Sequence, residues 1–145
     1  MKVISSVHGE LMYNEEDIII FKKPIPGFDE LNKYILKDID DESPFKILQS
    51  IEDKNIGFIV ISPFDVEEKY EIKLSDGIVD KLNIKEPTDV VLYSIVTINS
   101  KVEKITANLM APLVINIKEK KGEQFIVDKG NYKIKHPIMK GWYKC

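Results

Sequence analysis

A chain of 145 residues, 43% hydrophobic and 31% charged, can bury roughly 68–70% of its unfolded surface, which excludes disorder as its main state and makes one domain, 1–145, sufficient. Its 21 basic residues are all lysine and its net charge is -3, which counts against a dedicated nucleic-acid binder, because arginine is the usual bidentate reader of phosphate and guanine. The charge is uneven: residues 1–117 hold 13 Lys and 21 acids, and residues 118–145 hold 8 Lys and 3 acids.

Isoleucine, with 23 copies, is β-branched and favours pleated surfaces. The apolar runs are short and separated by Gly, Pro, Asn and Asp, which reads as strands and turns. In chain order, strands are expected at 2–7, 17–21, 33–38 and 45–50, with a helical turn near 28–32 after the Pro26-Gly27 turn. "GFIVIS" (57–62) is apolar on both faces and predicts a covered central strand, closed by a turn at Ser62-Pro63. "KYEIKLS" (69–75) alternates cleanly, with Tyr70, Ile72 and Leu74 opposite Lys69, Glu71 and Lys73, and predicts a strand with one wet face. Ser75 can cap a short helix over 76–82, whose stripe is Ile78, Val79 and Leu82. After a turn at Glu86-Pro87, "DVVLYSIVTI" (89–98) is apolar on both faces and predicts a second central strand. Further strands are expected at 102–108, 112–118, 123–127 and 131–135, with a flexible tail after about 136. About ten short strands predict an all-β fold, mainly antiparallel: a small β-barrel or barrel-like sandwich with one or two short helices.

No catalytic constellation emerges. His8 and His136 lie near the two chain ends and read as surface or turn residues, and Cys145 is the sole cysteine, so no internal disulfide can form. HExxH, CxxC, GxSxG, P-loop and GxGxxG patterns are all absent, and no metal or cofactor is implied. The start lacks a long apolar stretch and no run reaches the roughly 18 residues of a membrane span, so a cytoplasmic location is expected. The densest acidic cluster, Asp38, Asp40, Asp41 and Glu42 in "KDIDDE", reads as a solvated loop, a partner-facing patch or a weak hard-cation site. Phe28 and Phe64 follow tight turns, where a ring either plugs the barrel or anchors a partner. Glu67 and Glu68, which follow Phe64 closely, are further candidate partner contacts.

One stretch resists a plain strand reading. "ITANLMAPLVIN" (105–116) is apolar yet carries Thr106, Asn108 and Asn116 and is interrupted by Pro112. With "PIPGF" (24–28), "PFKILQS" (44–50), "FIVISPF" (58–64) and "YEIKLSDGIVDKLNI" (70–84), it resembles the flagellar assembly factor FliW family over nearly the whole chain. The tail "HPIMKGWYKC" (136–145) is less typical, and nothing is carried over onto it.

The resemblance implies a small, mostly antiparallel barrel without enzymatic activity that binds two partners in the cytoplasm. One is flagellin before export. The other is the dimeric carbon storage regulator CsrA, away from its RNA site, so that freed protein relieves repression of flagellin translation. Neither direct nucleic-acid binding nor a membrane is implied. On the residues, "ANLMAP" reads as a hairpin or corner whose polar side chains satisfy backbone groups, with Asn116 bonded to Asn108; a partner contact by Asn108 or Met110 is the alternative. The competing functions are a carboxylate-dependent barrel hydrolase or isomerase, and a barrel binding single-stranded nucleic acid.

Overall fold

A computed structural model describes residues 1–127 and 131–138. The amino-terminal hairpin pairs β1 (Lys2–Ser5) with β2 (Gly9–Met12). The strand expected over 2–7 stops at Ser5 because its hydroxyl accepts the N–H groups of Val7 (3.0 Å) and His8 (3.1 Å), turning the chain. β2 went unread in the sequence because only Leu11 of its four residues is buried. A 3-10 turn at Glu15–Asp17, tied by Asn14 N–H to Asp17 at 2.8 Å, replaces the start of the strand expected at 17–21 and leaves β3 (Ile19–Ile20).

Two reverse turns, and no helical turn, occupy 25–31: Phe28 N–H reaches Ile25 O at 2.9 Å and Leu31 N–H reaches Phe28 O at 3.0 Å. Gly27 sits at φ 91°, the left-handed third position of a type II turn that Pro26 opens, so another residue there is strained. Then come β4 (Lys33–Asp38), β5 (Lys46–Ser50) and β6 (Gly57–Ile61), close to the expected spans. After β6 a short helix, α1 (Pro63–Val66), starts with proline at its first position, where the missing N–H costs nothing.

"KYEIKLS" is the clearest correction. Its alternation sorts the side chains as expected, with Tyr70 buried and Lys69, Glu71 and Lys73 exposed, but the segment joins no ladder. Side chains tie it down instead: Tyr70 OH donates to Leu109 O at 2.8 Å, and Tyr132 OH accepts Glu71 N–H at 2.8 Å. The helix α2 (Asp76–Lys81) is capped by Ser75 Oγ on Ile78 N–H at 3.2 Å. It ends in left-handed Asn83 (φ 53°) with Ile84 N–H on Val79 O at 2.9 Å, a Schellman closure.

A 3-10 turn at Pro87–Asp89 leads into β7 (Val90–Thr97). The strand expected at 102–108 is a 3-10 turn (Val102–Lys104) and a two-residue β8 (Thr106–Ala107). β9 (Leu113–Asn116) and β10 (Lys121–Gln124) form a hairpin; β9 is shorter than expected at both ends, and β10 starts two residues earlier than expected and stops at Gln124. Residues 131–135 form no strand; pairing moves to β11 (His136–Pro137), on the edge of β8. Residues 139–145, with Cys145 and most of the expected tail, lie outside the described residues.

The order β7-β6-β5-β4-β3-β10-β9, closed by β9 on β7, makes a seven-stranded barrel. Every pairing is antiparallel except β3 with β10. The lumen is filled by Ile19, Phe21, Tyr34, Leu48, Val60, Leu113 and Ile115, with Val91, Tyr93 and Ile95 of β7 packed against them. Phe21 meets Tyr34 edge-to-face at 5.3 Å and lies 2.6 Å from where a Cβ of Gly122 would be, so β10 needs glycine there. The outer wall is covered as well: the hairpin packs Leu11 on Ile35 and Ile47, and α2 packs Ile78 and Leu82 on Val114.

Two buried polar residues lock these layers. Asn116 Nδ2 donates to Leu82 O (2.7 Å) and Asn83 O (3.2 Å), while its Oδ1 accepts from Lys118 and Glu119 N–H, each at 3.0 Å. It therefore joins α2 to the β9–β10 turn and does not reach Asn108. Asp89, buried, pairs with Lys118 at 2.8 Å and accepts Lys85 and Glu86 N–H at 3.0 Å each. The Lys118 ammonium, with these two N–H groups, holds its carboxyl below the ordinary value of 3.8.

Asn116→Ala strands buried donors and acceptors, and is expected to cost about 2–4 kcal/mol, or roughly 6–12 °C of thermal midpoint by calorimetry. A depressed carboxyl stabilises the native state above the unfolded pKa, and this contribution fades as pH falls through the lower native one. Thermal midpoints from pH 7 down to pH 2.5 should therefore fall steeply below about pH 4 in the parent chain. Asp89→Asn should be less stable at pH 7 and flatter in that acid window; parallel curves would refute the assignment.

Candidate partner-binding surface

Topology sorts the loops onto two rims. β4 and β6 both run antiparallel to β5, so they end at the same rim. The β4–β5 loop and α1 therefore emerge together, joined by the two 3-10 turns that precede β3 and β7. Tyr93 marks the convergence: burial raises its hydroxyl pKa, Lys46 opposes that, and Asp38 and Asp65 add to it.

This rim is dense in carboxylates. Asp38 is paired with Lys46, Asp17 with Lys37 at 3.7 Å, and Asp89 with Lys118. Asp40, Asp41, Glu42, Asp65, Glu67 and Glu68 make no ion pair among the described residues. Asp40 Oδ1 folds the loop by accepting Glu42 N–H at 2.8 Å, and Glu67 Oε1 accepts Lys69 N–H at 3.2 Å.

An apolar notch interrupts the charge. Phe64 is 49% exposed and rests edge-on against Tyr70 at 5.7 Å. With Ser62, Pro87 and residues 90–93 it lines a groove of about 390 Å³. An exposed ring beside a groove, with Asp65 next to it in the chain, has the composition of an interface anchor near a polar border. Phe28 lies elsewhere: its ring meets Phe58 at 4.9 Å, half-buried on the core, on the β3–β4 connection at the opposite rim. Sequence reading passed over Asp65 and the "NEED" run (14–17) on the rim, although four polar residues in a row were a visible signal.

Asn108 and Met110 belong to a different feature. Val96 of β7 faces Ala107, whereas Tyr93 faces Leu113. Three steps along β7 are matched by six along "ANLMAPL", so this stretch is one strand line carrying a three-residue bulge. Its backbone is nearly fully satisfied. Asn108 N–H bonds Ile95 O (2.9 Å), Leu109 N–H bonds Lys133 O (3.0 Å), and Asn108 Oδ1 accepts both Met110 and Ala111 N–H at 3.0 Å. Pro112 has no N–H to place. The carbonyls of Leu109, Met110, Ala111 and Pro112 are taken by Tyr70 OH, Val127 N–H, Gln124 Nε2 and Phe125 N–H, at 2.8–3.0 Å. Met110 leaves its side chain 37% exposed.

Among the described residues, no group of three His, Cys, Asp or Glu is placed to hold a metal ion, and no helix is long and apolar enough to cross a membrane. His8 Nε2 sits 3.1 Å from Ile39 O, and His136 is in β11.

The family model described as FliW protein matches residues 2–138. The chain belongs to the FliW family. It is 50% identical to the flagellar assembly factor FliW of Clostridium beijerinckii over 139 residues, 96% of this chain and 99% of the relative. Against the FliW of Clostridium novyi it is 51% identical over 140 residues, 97% and 98% of the two chains. A crystal structure of the flagellar assembly factor FliW superposes with a TM-score of 0.87 at 40% identity, covering 95% of this chain and 96% of that one. The FliW resemblance first carried by "TANLMAPLVIN" thus extends to the barrel as a whole.

Asn108→Ala removes the acceptor of two bulge N–H groups and is expected to lower the thermal midpoint by roughly 3–6 °C, from about 1–2 kcal/mol. Asn108→Asp, which keeps that oxygen, should recover most of it. Equal losses in both variants would show that the two turn bonds do not hold the bulge.

Proposed function

We propose that this flagellar assembly factor works by binding proteins rather than by catalysis, in the cytoplasm. It holds flagellin before export. When flagellin is depleted, the freed chain binds the CsrA dimer and relieves its repression of flagellin mRNA translation. The observation that carries this reading is the rim: unpaired carboxylates around an exposed Phe64, on the connections of a rigid barrel. Such a surface suits a basic RNA-binding protein. Its field reaches about 8 Å at physiological salt, so it weakens RNA binding beside the contact without occupying the RNA site. The switch is mass action: one pool divided between two ligands answers to whichever is scarce. Direct nucleic-acid binding is disfavoured by that same charge and by the burial of Phe21 and Tyr34 in the core.

Two measurements test it. A pull-down from a motile bacterial lysate should recover flagellin and CsrA; recovery of nucleic acid alone, with steep salt dependence, would contradict it. Asp40→Lys with Asp41→Lys should slow association with CsrA by about tenfold at low salt, with the gap closing as salt rises and the fold unchanged by circular dichroism. An unchanged on-rate at low salt removes this loop from the interface.

A further inference from the structure

The side wall of the barrel carries charge opposite in sign to the rim. Where β3 meets β10 the barrel has a thin seam, a single bridge between Lys121 and Ile20, with Ile20 N–H on Lys120 O at 2.9 Å. Beyond it the strands part. Phe21 turns its N–H and C=O to Asn32, and Lys22 and Lys23 join no ladder. The opening is a cleft of about 610 Å³ lined by Lys22, Lys23, Lys81, Lys120 and Lys121 over a floor that includes Ile20 and Leu82.

Two acids share the lining, and one of them is paired with a lysine of the same cleft. Glu123, with a side chain 13% exposed, pairs with Lys81 at 3.8 Å, and Glu119 accepts Asn83 Nδ2 at 3.0 Å. Lys22, Lys23 and Lys121 form no ion pair among the described residues. Five lysines against Glu119 and Glu123 leave the lining with an excess of positive charge, and an anionic ligand relieves the repulsion among them.

We propose that this cleft docks a short acidic segment of a partner protein, its carboxylates on Lys22, Lys23, Lys120 and Lys121 and an apolar side chain on Ile20 and Leu82. Ammonium groups bind carboxylates as point charges and do not need the planar fork of arginine. No aromatic side chain lines the cleft, so it offers no stacking platform for bases. About 610 Å³ accommodates a few side chains. A long polyanion or an anionic membrane would extend from the cleft into the field of the acidic rim, whereas a segment of a few residues stays within the basic wall. Rim and cleft carry opposite net charge and adjoin at the β9–β10 turn, where Lys120 lies within electrostatic reach of Asp17, so partners of opposite charge can occupy the chain side by side. This goes beyond the rim reading and stands on different residues.

The test uses the full chain and a fluorescein-labelled peptide of about twelve alternating Asp and Leu residues, followed by fluorescence anisotropy and by amide chemical shifts. Inorganic phosphate and a single-stranded RNA of similar charge are run in parallel. The peptide should shift the amides of Ile20, Lys22, Lys121 and Gly122, and its affinity should fall about tenfold in Lys22→Glu with Lys121→Glu. Lys22→Gln with Lys121→Gln, which removes charge without reversing it, should give a smaller loss. All variants should keep the parent circular dichroism spectrum and midpoint. Lack of peptide binding, shifts confined to other surfaces, affinity indifferent to both folded variants, or preferential binding of RNA or phosphate would each overturn the proposal. None of these outcomes depends on CsrA or flagellin, so failure here is separate from failure of the rim.

Discussion

A single strand edge has to serve two neighbours: β7 holds β6 along one side and both β8 and β9 along the other. The barrel closes only if the strand line opposite β7 changes register by three residues between Ala107 and Leu113. A slip of that kind normally leaves backbone groups unpaired in a buried place, at about 1–3 kcal/mol for each. Here Asn108, Tyr70, Gln124, Val127, Phe125 and Lys133 absorb them. The segment after α1 and the strand ends after β10 are therefore fastened to the bulge, and through it to the closure.

That constraint explains which parts of the fold were legible in the sequence. β4, β5, β6 and β7 carry apolar residues on both faces or in clean registers, and their spans follow from the alternation alone. "KYEIKLS" shows where alternation stops being informative. It reports which side chains face inward, and Tyr70 does, but not whether the backbone finds a ladder or, as here, the hydroxyl of Tyr132, far away in sequence, while Tyr70 itself reaches Leu109 O. Asn116 was visible as an oddity in an apolar run, yet its partners lie in α2, beyond any local pattern. β11 and the short β8 have too few residues to show a period at all.

The candidate surface was legible in pieces. The acidic loop and the turn phenylalanines stand out by composition, but their grouping is a property of topology. Even strand counts between β4 and β6 place the first loop beside α1 and Phe64, while the same rule sends Phe28 to the far rim, where it packs on Phe58. The lysine cleft was invisible beforehand because Lys22, Lys81 and Lys121 are distant in sequence and meet only at the β3–β10 seam. A closed barrel with fixed walls suits a protein that discriminates partners by charge, since preformed surfaces lose little entropy on binding. Under the proposed function, the chain's work is to be available or occupied, and its scaffold has to stay the same in both conditions.

The claim on which this rests is that the bulge opposite β7 is a rigid, internally satisfied closure. Native-state amide hydrogen exchange measures that directly. The N–H groups of Leu109, Met110 and Ala111 should be protected to the same degree as those of β7 and β9, opening only with the barrel. Exchange of these three at the rate of the exposed 98–101 loop would contradict the account.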